Sequence, residues 1–594
     1  MKIDLDRISA TFADVEFFVA CIFADAPPEF AGTGGGRLVT SSGAQFWAVT
    51  SLSAAHGRGL VHEVGDSDIV FRGYEGGLSV HSYSEPEVLK CLAAPDALEN
   101  GVFAYLKFDR QLQQAVARSD AFGIGPMYYR QLGPAWLFAS HPALLHIADD
   151  VPDMVSWAGL LQNGSAVGDR SFYRDIARLP AGAQMSLRRG QAETVRWFDF
   201  AALPAGTRRI DDEAFRVVED AYLAGFERCL KLNVGEVTLP FSSGFDSRRF
   251  FATLLRKQLP FKAVTCQTFH RKKGSDYDID SFYAPGIAAA FGVDCELVRA
   301  VEPERMEEDA ARRQTLIGTE TFMHAWALPL MRWLARRPPS LVFDGLAGDT
   351  FGNSGFEIDG LHETAERDVG LVLGETSKPF MLKQLSGRFP SLEQFQQQYR
   401  AYLDQFASNI NQAELAFVES RTRRCISPWI TMMHPPGHVA VFPYCDLDFA
   451  RATFEYHPAD KYKWFFQKEC LRRFYPEFYD FPGSRNLPAD HAPLDPAVSN
   501  ARDSAEERFA YSDPAVLRET LQYLSLPNKI LLLASSLLPA LRRRRDWVFR
   551  PLLLLVRTRR HAPAFIEPDA ALTPISGARE TNLKEVTTLE RGVA

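Results

Sequence analysis

The sequence predicts an α/β protein with a strand-rich amino-terminal domain, a doubly wound parallel-sheet domain and a helical carboxyl-terminal extension. Three observations carry this. The chain has 594 residues, well past the roughly 250–300 at which a single core stops growing. Up to about residue 200, short apolar runs are broken by glycine, as in Gln45-Phe46-Trp47-Ala48-Val49-Thr50, Gly101-Val102-Phe103-Ala104-Tyr105-Leu106 and Ala135-Trp136-Leu137-Phe138-Ala139; this is the pattern of strands and turns. From about residue 210, longer helical stretches alternate with short β runs at 236–241, 261–266, 294–298 and 341–343. That alternation gives a parallel sheet whose ligands lie at the carboxyl ends of its strands.

From the amino terminus onward, Met1-Lys2-Ile3-Asp4-Leu5-Asp6-Arg7 lacks the apolar core of a secretory signal. No uninterrupted apolar run reaches the roughly 18 residues of a membrane span. Cys21 sits in the mostly apolar run 15–23, which reads as buried core. The eight cysteines, at 21, 91, 229, 266, 295, 425, 445 and 470, form no CxxC pair, so neither a zinc knuckle nor a disulfide framework is expected. They read as reduced thiols of a cytoplasmic protein. A net charge of -8 gives no reason to expect a nucleic-acid partner. Ala201-Ala202-Leu203-Pro204-Ala205-Gly206-Thr207 is the expected linker, which sets the domains at 1–200, 208–495 and 496–594.

Phe241-Ser242-Ser243-Gly244-Phe245-Asp246-Ser247 follows Val237-Thr238-Leu239 and precedes apolar positions 250, 251, 254 and 255. It reads as strand, small-residue loop and helix N-terminus. Backbone N–H groups and the positive end of a helix dipole favour an anion there. The serine hydroxyls add donors, and Asp246 suits a phosphate only if a cation accompanies it. The loop lacks the Lys-Ser/Thr ending of the Walker type. Asp349, in Asp344-Gly345-Leu346-Ala347-Gly348-Asp349, follows the run at 341–343, so both carboxylates are expected at one edge of the sheet.

The loop resembles the Ser-Gly-Gly-x-Asp-Ser pyrophosphate loop of the ATP pyrophosphatase superfamily, with Ser243 in place of the first Gly. Other segments resemble asparagine synthetase-like amidotransferases. Ser119-Asp120-Ala121-Phe122-Gly123-Ile124-Gly125-Pro126-Met127-Tyr128-Tyr129 looks like that family's Arg-Asp-x-x-Gly-x-x-Pro-Leu-Tyr-Tyr, and 138–145 follows at its spacing. Ile176-Ala177-Arg178-Leu179-Pro180-Ala181-Gly182 is similar to its Ile-x-x-Leu-Pro-Pro-Gly turn, 344–349 to its second ATP-site motif, and Pro443-Tyr444-Cys445-Asp446 to its Pro-Phe-Leu-Asp segment. The resemblance runs in order from about residue 100 to about 490. It implies a glutaminase-like αββα domain of the N-terminal-nucleophile type over 1–200 and an ATP pyrophosphatase domain over 208–495. It also implies ATP and Mg²⁺ as cofactors. Ser242, Ser243, Gly244, Asp246 and Ser247 would hold pyrophosphate, Asp344 and Gly345 would line the nucleotide, and Asp246 and Asp349 would bind the metal. For the cation that contacts the phosphates, the sequence offers Arg485 or Lys468.

Departures from the family narrow the function. Glutamine-dependent members carry a nucleophilic Cys directly after the initiator Met, whereas this chain has Lys2. The domain is therefore expected not to release ammonia from glutamine, and the attacking amine is expected to come with the substrate. Relatives of that kind are the β-lactam and carbapenam synthetases and the lasso-peptide macrolactam synthetases. Leu346 and Thr350 stand where the family's second motif carries Glu. Leu cannot move a proton, so either the amine arrives neutral or another group takes its proton, for which the sequence offers Glu320 and His324. The implied reaction is ATP-dependent amide formation through an adenylated carboxylate. The leading substrate is a linear peptide whose N-terminal amine closes onto an Asp or Glu side chain. Amidation of a small-molecule or sugar carboxylate, and a non-catalytic scaffold, stay open beside it.

In the extension, residues 530–541 form an uncharged, mostly apolar run; between 541 and 560 there are eight Arg and one Asp. Such a stretch, 529–560, suits peripheral contact with an anionic membrane, docking on a partner such as a protease or exporter, or packing on the second domain. Residues 565–594 read as a polar tail.

Overall fold

The computed structural model describes residues 1–568 apart from 34–37, 42–44, 53–58, 80, 82–84, 205, 268–269, 273–274, 300–304, 322–326, 353–381, 408, 433, 462–464, 483–492 and 495–504. It is a mixed α/β fold with a strand-rich amino-terminal domain, a parallel sheet and a helical carboxyl-terminal region.

The first domain is built on two antiparallel sheets. One runs Ala177–Arg178, Tyr128–Leu132, Ala135–Ala139, Phe18–Ile22, Phe46–Thr50 and Leu38–Ser41. The other runs Gln191–Arg196, Ala183–Arg188, Gln114–Ser119, Gly101–Asp109, Ser67–Glu75 and Val61–Val64. Side chains alternate along a strand. Phe18, Ala20 and Ile22 accordingly join Phe71, Phe103 and Tyr105 in one core, while Val19 and Cys21 join the larger core shared with the second domain. A strand covered on both faces reads as a continuous apolar run, as Phe18–Ile22 does. The motif beginning at Ser119 makes a turn. The buried Asp120 carboxylate accepts hydrogen bonds from the amides of Phe122 (3.1 Å), Ile124 (3.0 Å) and Gly125 (2.7 Å), and burial holds it up at about 6.

The second domain carries five parallel strands: Cys295–Val298, Phe261–Cys266, Glu236–Pro240, Ser340–Phe343 and Val439–Val441, in that spatial order. Four match the β runs read from the sequence. The fifth is three residues long and follows Pro435-Pro436-Gly437, too brief a signal to stand out. It abuts the first domain, where Tyr74 Oη accepts from the Phe442 amide at 2.9 Å.

A π-helical segment, Val418–Ile426, locks the domains together. Its wide turns carry Arg423 and Arg424, both fully buried. Arg423 reaches Glu419 (2.7 Å), Asp169 (2.9 Å) and the Leu179 carbonyl (2.6 Å). Arg423→Ala strands the buried Glu419 carboxylate, and breaking such a pair costs about 3–5 kcal/mol. Urea unfolding should show that loss; a change within about 0.5 kcal/mol, the usual range of surface substitutions, would contradict it.

The extension comprises Pro514–Thr520, Leu526–Leu537 and Pro539–His561. Pro539 sits in the first turn of the last helix, where its missing N–H costs nothing, and the helix runs through Pro551. Leu552, Leu553, Leu555 and Val556 are buried, so this part of the 529–560 stretch is core. The polar tail read from 565 onward starts later than its composition suggests. Phe565 and Ile566 are buried, because Ile566–Glu567 pairs antiparallel with Lys2–Ile3. Residues 569–594 lie outside the described part. Among the described residues, no helix is long and apolar enough to cross a membrane.

Candidate functional site

The strand Glu236–Pro240 is paired to Phe261–Cys266 on one side and to Ser340–Phe343 on the other. The order of strands reverses there, the point at which open α/β sheets take ligands, beyond the carboxyl ends of Glu236–Pro240 and Ser340–Phe343. The chain leaves Glu236–Pro240 through 241–244 and enters the helix Phe245–Arg256, with Gly244 as its N-cap. No side chain caps this helix, so its first-turn N–H groups are left for water or an anion.

Serines shape the loop. Ser247 Oγ accepts from the Ser242 amide (3.1 Å) and lies 2.9 Å from Ser242 Oγ. The Gly244 amide donates to Ser242 Oγ at 3.2 Å. Ser243 faces the other way: its amide and hydroxyl both donate to Asp280 Oδ1, at 3.0 and 2.9 Å. An anion that used the Ser243 donors would have to displace Asp280. Arg248 pins the loop from behind, donating to the carbonyls of Ser243 (2.7 Å), Phe481 (2.8 Å) and Pro482 (3.1 Å).

Two carboxylates meet at this edge of the sheet. Asp246 is in the first turn of the helix, and Asp349 is in the short helix Gly348–Phe351 after the strand Ser340–Phe343. Burial raises the Asp246 carboxyl well above its ordinary range, and the Asp349 charge raises it further. Asp246 Oδ1 is buried without a hydrogen-bond partner among the described residues. Tyr444 Oη donates to the Asp246 carbonyl at 3.2 Å. The facing backbone approaches so closely that a Cβ on Gly348 would lie 2.7 Å from Asp246 Oδ1. Ala347, at φ +66°, holds the left-handed turn that brings Gly348 there. Asp344 accepts from the Leu346 amide at 2.8 Å, and burial raises its carboxyl to about 6. Leu346 is buried.

An orphaned carboxylate oxygen beside a second carboxylate fits a divalent cation. Mg²⁺ needs only one or two protein carboxylates when phosphates supply further ligands. Among the described residues no group of three His, Cys, Asp or Glu side chains could hold a metal alone, so such an ion would rely on its substrate.

Lys468 lies on the helix Phe465–Phe474, with Nζ 5.9 Å from the centre of the Phe245 ring, at the start of the loop helix. Arg485 and His324 lie outside the described residues. Glu320 is wholly buried against Arg424 (3.3 Å) and Arg178 (3.9 Å), sealed from any incoming amine. Cys21 is wholly buried, and burial pushes its thiol far up. Lys2 lies in an edge-of-domain strand between Glu29–Ala31 and Ile566–Glu567. Sequence reasoning missed Asp280, Arg248 and Gln467. The last links Arg249 (2.9 Å) to the Gly348 carbonyl (3.2 Å). The doublet Arg248-Arg249 directly after Ser247 was the available signal.

Residues 81–198 match the profile of a family described as glutamine amidotransferase domain. A search of curated proteins finds no match. Among solved structures, similarity extends to the allosteric regulatory enzyme of purine biosynthesis, at 10% identity, covering 62% of this chain and 74% of that one with a TM-score of 0.21. A second is glutamine phosphoribosylpyrophosphate amidotransferase from B. subtilis complexed with ADP and GMP, at 13% identity, 62% and 75% coverage and a TM-score of 0.20. The profile match makes the strand-rich domain similar to glutamine amidotransferase domains over that span.

Proposed function

We propose that this protein is an ATP-dependent amide ligase that adenylates a carboxylate and passes the acyl group to an amine. The observation that carries this reading is the Asp246–Asp349 pair beside an uncapped helix N-terminus at the sheet's switch point. A metal ion without ATP chemistry would not need the anion-accepting helix end, and a phosphate site alone would not tolerate the carboxylates.

In this reading the pyrophosphate of ATP lies on Ser242, Gly244, Ser247 and the first-turn amides, with Lys468 as the described cation beside the start of that helix. Asp246 and Asp349 would hold Mg²⁺, which supplies charge neutralisation for the departing pyrophosphate. Asp344 and Gly345 flank the nucleotide. The substrate carboxylate attacks the α-phosphorus and releases pyrophosphate; the amine then attacks the acyl carbon and releases AMP. Leu346 cannot accept the amine's proton, so the amine either arrives neutral or loses its proton to another group.

The finer reading is macrolactam closure of a linear peptide of the lasso type. The burial of Cys21, with its thiol pushed far above the usual range, supports it, since the amine then comes with the substrate. Amidation of a small acid is the second reading, favoured by the amidotransferase match over 81–198. Mass spectrometry separates them. The protein is incubated with ATP and Mg²⁺, in one set with linear peptides bearing a free amino terminus and an internal Asp or Glu, in another with small acids and ammonium. AMP and a peptide lighter by one water support closure; AMP and an amidated acid support the second reading; no nucleotide turnover in either set contradicts both.

Cys21→Ala is expected to leave AMP formation within about twofold, because a buried thiol far above its usual range is no nucleophile. Loss of activity with an unchanged thermal midpoint would restore a thiol role.

A further inference from the structure

The helix Leu526–Leu537 packs Leu532 and Ser535 inward, against the extension and its neighbours. Its other side is bare. Leu526 is 72% exposed, Ile530 64%, Leu533 51% and Leu537 80%, and Leu538 just beyond is 56% exposed. Positions 526, 530, 533 and 537 recur at helical spacing, so they form one stripe. Most of the large exposed aliphatics among the described residues fall in these thirteen positions. A contiguous ridge of that kind marks an interaction surface, whereas single exposed leucines do not.

The charge around the ridge points to the occupant. From 526 to 561 the sequence carries one Lys and eight Arg against one Asp, in a chain whose net charge is -8. Part of this charge is used internally: Arg542 pairs with Glu507, Arg550 with Glu506, and Arg559 and Arg560 with Glu519, while Arg557 donates to Ser512. Lys529 belongs to the ridge helix itself, and a block of three further arginines, Arg543, Arg544 and Arg545, begins five residues past Leu538. A second copy would bring two basic blocks together, which like-charge repulsion opposes. The helix is twelve residues long, too short to span a bilayer but long enough to lie in its interface.

We propose that this ridge docks the protein on an anionic lipid surface, with Leu526, Ile530, Leu533, Leu537 and Leu538 entering the headgroup–acyl boundary beside Lys529 of the same helix. The docking is peripheral, and it leaves Asp246 and Asp349 on a separate part of the chain. It does not depend on the reaction proposed above.

Flotation of the full chain with phosphatidylcholine vesicles, with and without phosphatidylglycerol, tests it. Association is expected only with the anionic vesicles and should weaken at high salt. The double variant Leu533→Asp, Leu537→Asp should lower vesicle-bound protein by at least about tenfold while thermal unfolding stays unchanged, since both side chains are exposed. A Leu537→Trp variant should show blue-shifted emission on the same vesicles. Equal flotation of the double variant, or no flotation of the native chain, overturns the proposal. So does light scattering that shows a dimer dissolved by the double variant, since the ridge would then be a self-interface.

Discussion

Asp246→Asn should abolish ATP-dependent AMP release and, at the same time, stabilise the ligand-free protein near neutral pH. The activity loss follows from the proposed metal site: removing one of two carboxylates that neutralise a departing pyrophosphate costs at least about a hundredfold, on the scale of other charge-stabilising groups. The stability gain follows from the structure. The Asp246 carboxyl is raised in the fold by burial and by Asp349. Its native state therefore holds a proton more tightly than the unfolded chain does. Stability from this group is fully present below the unfolded value, near 3.8, and is lost as pH rises through the folded value. Asn carries no charge and escapes that loss. The variant should thus melt above the native protein at neutral pH and beside it in acid. Retained AMP release would remove Asp246 from the metal site; a lower neutral-pH midpoint would contradict the electrostatic account.

Gly348→Ala should be nearly as damaging by a steric route. The new Cβ would lie 2.7 Å from Asp246 Oδ1, 2.8 Å from its Cγ and 2.8 Å from a ring carbon of Tyr444. Real Cβ contacts do not come that close, so either Asp246 leaves its position or the loop shifts. Overpacking of this kind costs about 1–3 kcal/mol, and misplacing a catalytic carboxylate by about 1 Å costs on the order of a hundredfold in rate. Gly286 lies in a helix where an added Cβ would meet nothing within 4 Å; Gly286→Ala should be neutral to slightly stabilising. Thermal melts and AMP assays of both variants check the contrast. An active Gly348→Ala protein would mean that the approach of this loop to Asp246 is not needed.

The edge of the site was legible because it depends on local pattern. A strand, a run of small residues and a helix start predict where Asp246 stands, and the geometry of a parallel sheet brings Asp349 to the same edge. Contacts across the chain were not legible. Asp280 captures Ser243 from 37 residues away, and no periodicity announces that. Arg248 and Arg249 are charged residues on a helix with an apolar side, and both are buried, because they pair with carbonyls and with Glu219 from distant parts of the chain. The extension shows the same limit from the apolar side. Residues 526–538 and 552–556 are alike in composition, but the first stretch carries an exposed stripe and the second is core; only the partner surface decides. Glu320 failed as a base for a related reason: its place on the chain said nothing of the arginines that enclose it.

The most direct test of the central claim is to follow a heavy-oxygen label from the substrate carboxylate. A linear peptide with a free amino terminus and a labelled Asp or Glu side chain is incubated with the full chain, ATP and Mg²⁺, and the nucleotide is examined by mass spectrometry. Adenylation predicts AMP carrying one labelled oxygen, formed by the native protein and not by Asp246→Asn. Label in inorganic phosphate alongside ADP, or labelled AMP from both proteins alike, would contradict the account.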